Sequence, residues 1–87
     1  MRSIRLSGRE ATVVRAIGFA DAVLGVDIQD MTRLDLDDVT DVLNSLISAG
    51  FVESVPYSEQ VDPAELGTMS FELNPAYTHQ LKSAIQR

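Results

Sequence analysis

The sequence predicts an α+β fold in which three helices precede a hairpin region of two or three β-strands and a last helix follows it. Two observations carry this prediction. Residues 34–55 combine the apolar periodicity of a helix with a short β-type run directly after a glycine. Cap signatures of further helices lie on both sides, at Ser7 and at Asn74. Because 87 residues leave room for one hydrophobic core, we expect a single domain over residues 1–87.

The first helix is predicted to start at a capping box, Ser7-x-x-Glu10, with Leu6 in front of it as a weak hydrophobic staple. The sequence allows two ends for this helix. It either stops at Gly18 or continues through a weak point there and stops at Gly25, since a glycine is a good helix terminator at both positions.

Between the first two helices we expect one strand bridge within residues 26–28. The second helix is predicted to follow its N-cap at Asp27, to end near Arg33, and to bury Ile28 and Met31. So short a connection to the third helix requires a large crossing angle, as in a helix-turn-helix.

The third helix has the clearest signature of the chain. Its apolar side chains recur at i, i+3, i+4, i+7 and i+8, the spacing of a half-buried helix, and they are Val39, Val42, Leu43, Leu46 and Ile47. Asp35 is a candidate N-cap, and Asp38 is placed to complete a capping box. Gly50 is expected to stop the helix, and residues 51–55 then predict a strand that Pro56 ends.

The segment that follows this strand, residues 56–69, is polar and contains two prolines, which predicts a long loop. Within it, Asp62 followed by Pro63 has the chemistry of a helix start, so we expect one helical turn there. The returning strand is expected at Ser70–Leu73. The last helix is predicted from about Pro75 to Gln86, because its apolar residues recur every four positions.

Composition excludes several classes of protein. The chain has no cysteine, so it has neither disulfides nor thiolate metal sites. No apolar run reaches the roughly 18 residues of a membrane span, and the first residues lack the apolar core of a secretory signal. We therefore expect a cytoplasmic protein with no membrane partner. A single histidine, His79, and serines without a neighbouring base indicate no metal site, no cofactor and no enzyme activity.

Charge is distributed unevenly along the chain, whose formal net charge is −6. Up to Arg33, five arginines face four carboxylates. From Leu34 onward, nine carboxylates face only Lys82 and Arg87. The third helix and the long loop therefore lie in the strongly acidic part of the chain.

The order of these signatures resembles that of a known family. A capped helix, a leucine, a glycine and a strand with Val-Glu follow one another, carried here by Leu34-Asp35, Val39, Val42-Leu43, Leu46 and Gly50-Phe51-Val52-Glu53. This pattern resembles the winged helix-turn-helix domain of small bacterial regulators of the MarR, ArsR and PadR type, over roughly residues 7–81. The resemblance implies a two- or three-stranded wing beside the helices, with DNA contacts on the third helix and the wing. Similar modules also act purely in protein interactions, so the fold leaves the function open.

The positions that the resemblance assigns to DNA contact are acidic in this chain. The family usually has basic or small polar residues at the exposed start of the third helix, where this sequence has Leu36, Asp37, Asp38, Thr40, Asp41, Asn44 and Ser45. The wing, usually basic, here has Glu59, Asp62 and Glu65. Because DNA affinity depends on neutralising phosphates with Lys and Arg, the sequence disfavours DNA binding by the usual route.

Two functions remain as hypotheses. The favoured one is a non-catalytic interaction module that binds a basic protein surface, or a second copy of the chain as a homodimer. Its contact residues would be Asp37, Asp38, Asp41, Asn44, Ser45, Glu59 and Asp62. The alternative is a DNA-binding transcriptional regulator that uses N-terminal arginines, namely Arg2, Arg5 and Arg9. A simpler interpretation of these arginines is that they balance the chain's own carboxylates.

Overall fold

The computed structural model describes residues 4–86, which form an α+β fold, so the predicted class is confirmed. Along the chain the elements are α1 (Gly8–Ile17), β1 (Val23–Leu24), α2 (Gly25–Thr32), α3 (Leu36–Ser48), β2 (Val52–Val55), β3 (Ser70–Leu73) and α4 (Thr78–Ile85). Two 3₁₀ helices complete the order. One, Pro63–Thr68, lies in the β2–β3 loop (residues 56–69), and the other, Pro75–Tyr77, leads into α4.

The start of α1 follows the sequence prediction. The Ser7 hydroxyl accepts a hydrogen bond from the Glu10 backbone N–H at 3.2 Å, and the Ser7 N–H donates to Glu10 Oε1 at 2.8 Å. The predicted capping box is thus confirmed. Of the two predicted ends, the structure has the earlier one. Gly18 adopts a φ of 72° and its N–H donates to the Val14 carbonyl at 3.0 Å, a conformation that costs glycine little.

Both β1 and α2 lie earlier in the chain than the sequence predicts. The strand occupies Val23–Leu24 instead of residues 26–28. The helix starts at Gly25, so Asp27 lies in its first turn and is not its N-cap.

A contact with the β2–β3 loop explains this shift. The Gly25 N–H donates to the Met69 carbonyl at 2.9 Å. A Cβ on Gly25 would lie 2.4 Å from the Leu66 carbonyl oxygen, so only glycine permits the approach. The helix then turns Gly25 and Ile28 towards the core, and Met31, which was predicted to be buried, is 55% exposed. This long-range contact outweighs the local preference for a cap.

The predicted apolar face of α3 packs into the core. Val39, Leu43 and Leu46 are fully buried there. Asp35 occupies the N-cap position, but its side chain makes no capping hydrogen bond. The predicted capping box with Asp38 is therefore wrong. The Asp38 carboxylate instead lies 3.5 Å from the guanidinium of an α1 residue, Arg9.

The sheet has three antiparallel strands in the order β1-β3-β2. The residues that face the helices are buried, and they are Val52, Ser54, Phe71 and Leu73. The alternate residues of β2 and β3 face away from the helices, and they are Glu53, Val55, Ser70 and Glu72. The core thus lies between the inner face of the sheet and the helices.

The β2–β3 loop folds back onto the helices. Its Val61, Leu66 and Met69 side chains are buried in the main core. The helical turn predicted at Asp62 is present as the longer 3₁₀ helix Pro63–Thr68. The sequence indicated only a polar loop, because three apolar residues at spacings of five and three match neither a helical nor a strand period.

The predicted C-terminal helix is present and begins as a 3₁₀ turn. The Asn74 side-chain oxygen accepts a hydrogen bond from the Ala76 N–H at 3.0 Å, as expected for a cap before proline. Leu81 of α4 is fully buried. Arg15 of α1 donates to the Ile85 carbonyl at 2.7 Å and so ties the end of α4 to α1.

Candidate functional site

The exposed side of α3 and the β2–β3 loop carry an acidic surface. Most of its side chains are exposed, and Asp38 is half-buried. We call this surface the acidic face and define it by Asp37, Asp38, Asp41, Ser45, Glu59 and Asp62. These are six of the seven residues that the sequence predicted as partner contacts.

A pair of hydrogen bonds holds the loop against α3. The Asn44 side-chain N–H donates to the Val61 carbonyl at 2.9 Å, and the Val61 N–H donates to the Asn44 side-chain oxygen at 2.8 Å. Asp62 follows Val61 directly, so this pair also fixes the position of its backbone relative to α3. Glu59 lines a groove together with Ser48 at the end of the helix.

Asn44 has an internal structural role that the sequence analysis did not predict. Its amide donor and its amide oxygen are both bound within the chain, and the residue is half-buried. We place it among the residues that support the acidic face and not among those that form it. The signal was ambiguous in the sequence, because an asparagine on a polar helix face is equally compatible with either role.

Thr40, one of the positions that the resemblance assigned to DNA contact, is not on the surface. It is 2% exposed, and its hydroxyl donates to the Leu36 carbonyl at 2.7 Å. Thr40 precedes Leu43 and Ile47 by three and seven residues, so it shares the apolar side of the helix with them.

The start of α1 borders the acidic face on its other side. The Arg9 guanidinium lies 3.5 Å from the Asp38 carboxylate, and the two side chains are 62% and 38% exposed. The Ser45 hydroxyl lies 3.5 Å from Glu10 Oε2. Glu10 therefore adds a carboxylate to this region, which the sequence analysis missed. Its capping role was visible in the sequence, whereas its proximity to a residue 35 positions away has no local signal.

Two of the arginines proposed for nucleic-acid binding lie in the described residues, and they have different neighbours. Arg9 lies beside Asp38, an arrangement that agrees with its interpretation as internal charge balance. Arg5 lines a separate concavity together with Arg15 and Ala84. Arg2 lies outside the described residues.

The electrostatics of the acidic face follow from its composition. It carries five carboxylates, and Arg9 is the cation that the structure pairs with one of them. The sequence has no Lys or Arg from Leu34 to Leu81. An exposed pair such as Arg9–Asp38 is screened by solvent and contributes little to stability. The surface therefore presents a negative potential to any approaching molecule.

Two further structural findings concern residues 4–86. This part of the chain has no group of three or more His, Asp or Glu side chains placed to hold a metal ion. In the same residues, no helix combines the length and the apolar character that crossing a membrane requires.

Compared with protein-family models, with curated proteins and with solved structures, the chain has no significant match.

Proposed function

We propose that the chain is a non-catalytic winged helix-turn-helix module that binds a basic protein surface through its acidic face. The fold part of this proposal is supported by the element order α1-β1-α2-α3-β2-β3-α4 and by the strand order β1-β3-β2. It is also supported by the short connection of three residues between α2 and α3. In such a domain, α3 is the helix that would enter the major groove.

The observation that carries the functional part is the charge of the exposed side of α3. Asp37 and Asp41 are exposed there, and the described residues provide no cation that pairs with either. Duplex DNA carries about one negative charge per 1.7 Å of its axis, so each aspartate would add repulsion and would have to be desolvated. A protein surface rich in Lys or Arg would instead be attracted to these aspartates.

The β2–β3 loop supports the same conclusion. A wing that contacts DNA must extend away from the domain to reach a phosphate or the minor groove. Here Val61 and Leu66 are each about 1% exposed, and the Asn44 pair fixes the loop to α3. Extending the loop would expose this apolar surface to water, which is unfavourable.

Self-association through the acidic face is less favourable than binding to a basic partner. Two copies that met at this surface would bring two sets of carboxylates together, with Arg9 as the neighbouring described cation. Like charges across an interface disfavour the complex. A homodimer would therefore have to use another part of the chain, such as α4.

The alternative function, DNA binding through Arg5 and Arg9, retains one supporting observation. Both arginines are exposed. It predicts that the affinity for DNA falls steeply as the salt concentration rises. It also predicts that Arg5→Glu and Arg9→Glu each weaken DNA binding.

The test of the favoured function uses a fluorescently labelled lysine-rich peptide and anisotropy titrations with the whole chain. The double variant D37N/D41N is expected to bind the peptide about fivefold more weakly, because two exposed charge contacts of up to ~0.5 kcal/mol each are lost. The matched control is D21N/D27N, which removes the same charge from exposed positions outside the acidic face. Equal losses in the two variants would mean that only net charge matters and would contradict the proposal.

A further inference from the structure

The outer face of the sheet has an arrangement that the proposed function does not use. Leu24 lies directly opposite Ser70, and Ser70 lies directly opposite Val55, so these three side chains form a row across all three strands. In the adjacent row on the same face, Glu53 lies directly opposite Glu72. This surface lies on the opposite side of the sheet from the helices.

In the first row a small residue separates two apolar ones, and we call the strip over Ser70 between Leu24 and Val55 the channel. Leu24 is 45% exposed and Val55 is 46% exposed, whereas the small Ser70 lies between them. Neighbouring strands are about 4.8 Å apart, so the two apolar side chains are roughly 10 Å apart with a low floor between them. An α-helix with its side chains is about 10–12 Å wide. The channel therefore has the width that one helix fills.

The second row carries an uncompensated pair of like charges. Directly opposed side chains in an antiparallel sheet have Cβ atoms about 5 Å apart, and like charges in that position are destabilising. The described residues place no cationic side chain within ion-pair distance of Glu53 or Glu72. An unfavourable local arrangement that nothing else in the chain compensates is typical of a functional site.

We propose that this outer face is a second docking surface, occupied by an amphipathic basic helix of a protein partner. The apolar side of that helix would lie in the channel between Leu24 and Val55, and its Lys or Arg side chains would lie over Glu53 and Glu72. The inference is independent of the acidic face, because none of these residues belongs to it.

Charge complementarity selects this occupant over two others. A second copy of the chain would oppose one Glu53–Glu72 pair to another, in a protein whose formal net charge is already −6. A nucleic acid needs Lys or Arg to neutralise its phosphates, and the outer face presents none among the described residues. A basic helix relieves the repulsion between the two glutamates and covers the apolar channel at the same time.

The test uses a fluorescently labelled peptide of leucine and lysine at helical spacing, with a scrambled peptide of the same composition as a control. Anisotropy titrations are made with the whole chain and with three double variants. E53Q/E72Q and L24S/V55S are each expected to weaken binding about fivefold, from lost charge contacts and lost apolar burial respectively. D21N/D27N, which removes the same charge as E53Q/E72Q from exposed positions outside both surfaces, is expected to leave the affinity within about twofold.

Each result of this test bears on the proposal. The proposal is overturned if E53Q/E72Q leaves peptide binding unchanged, or if D21N/D27N weakens it as much as E53Q/E72Q does, because the outer face would then not be the specific binding surface. Equal binding of the scrambled peptide would also overturn it, because the helical apolar side would then play no part. Concentration-dependent dimerisation that L24S/V55S abolishes, measured by sedimentation, would make the occupant a second copy. E53Q/E72Q removes a repulsion, so it is expected to fold at least as well as the unmodified chain.

Discussion

The two sides of the contact between α3 and the β2–β3 loop differ in what they contribute. On the inner side, the Asn44 amide satisfies both backbone groups of Val61, and Leu66 is buried against Gly25. On the outer side, the Asp37 and Asp41 side chains make no hydrogen bond or ion pair within the described residues. The inner side therefore stabilises the fold through packing and hydrogen bonds, whereas the outer side contributes little more than the interaction of Asp37 with the N-terminal dipole of α3. This separation makes the two sides distinguishable by mutation.

The largest effect is expected from Leu66→Ala on the inner side. Leu66 is about 1% exposed, and removing a buried leucine leaves a cavity that costs about 2–5 kcal/mol of unfolding free energy. The melting temperature, followed by circular dichroism, should fall by at least about 8 °C. Leu36→Ala is the control, because Leu36 is 39% exposed. Similar losses in the two variants would contradict the assignment of the loop to the core.

The second-largest loss of stability is expected from Asn44→Ala. It leaves the Val61 N–H and carbonyl without their partners, which costs about 1–3 kcal/mol where these groups stay buried. The neighbouring Ser45→Ala, on the exposed side of the same helix, is expected to change stability by less than about 0.5 kcal/mol. Urea denaturation of both variants measures the difference. An Asn44 variant as stable as the Ser45 variant would show that the loop does not depend on this pair.

On the outer side, D37N/D41N should lower the free energy of unfolding by no more than about 1 kcal/mol, because both side chains are exposed and only Asp37 gains from the N-terminal dipole of α3. Its affinity for a lysine-rich peptide should nevertheless fall. A loss of stability as large as that of Asn44→Ala would mean that the aspartates support the fold, and the comparison between the two sides would fail.

The smallest effect concerns the outer face of the sheet and has the opposite sign. Glu72→Gln removes one of two directly opposed carboxylates and should raise the unfolding free energy by up to about 0.5 kcal/mol. Thermal melts at low salt give the greatest sensitivity, because salt screens exposed charges. A destabilised variant would indicate that Glu72 has a favourable contact and would remove one argument for the second docking surface.

Local sequence signals predicted the elements whose ends and faces depend on neighbouring residues. The Ser7–Glu10 capping box and the periodic apolar face of α3 are of this kind, because their partners lie within a few positions. The start of α2 was predicted wrongly, since a contact of Gly25 with Met69 decides it. The capping box predicted between Asp35 and Asp38 was wrong for a similar reason, because the Asp38 carboxylate lies beside Arg9.

The acidic character of the candidate site could be predicted from the sequence, but the set of residues that form it could be predicted only in part. Asp37 and Asp41 are exposed in the structure as the helical pattern indicated. The fold determines which other residues lie on the same surface as these two aspartates. Glu10 lies beside this surface because it contacts Ser45. Asn44 supports the surface from below, because its amide binds the backbone of Val61. Both outcomes depend on contacts between residues far apart in sequence, for which a single sequence carries no pattern.

The measurement that tests the central claim most directly is fluorescence anisotropy with two labelled probes, a mixed-sequence DNA duplex and a lysine-rich peptide. Each is titrated with the whole chain at low and at near-physiological salt. The account predicts no binding of the duplex at either salt concentration, together with peptide binding that D37N/D41N weakens. Salt-sensitive binding of the duplex that Arg5→Glu or Arg9→Glu abolishes would contradict the account and establish the arginine-bearing surface as the functional one.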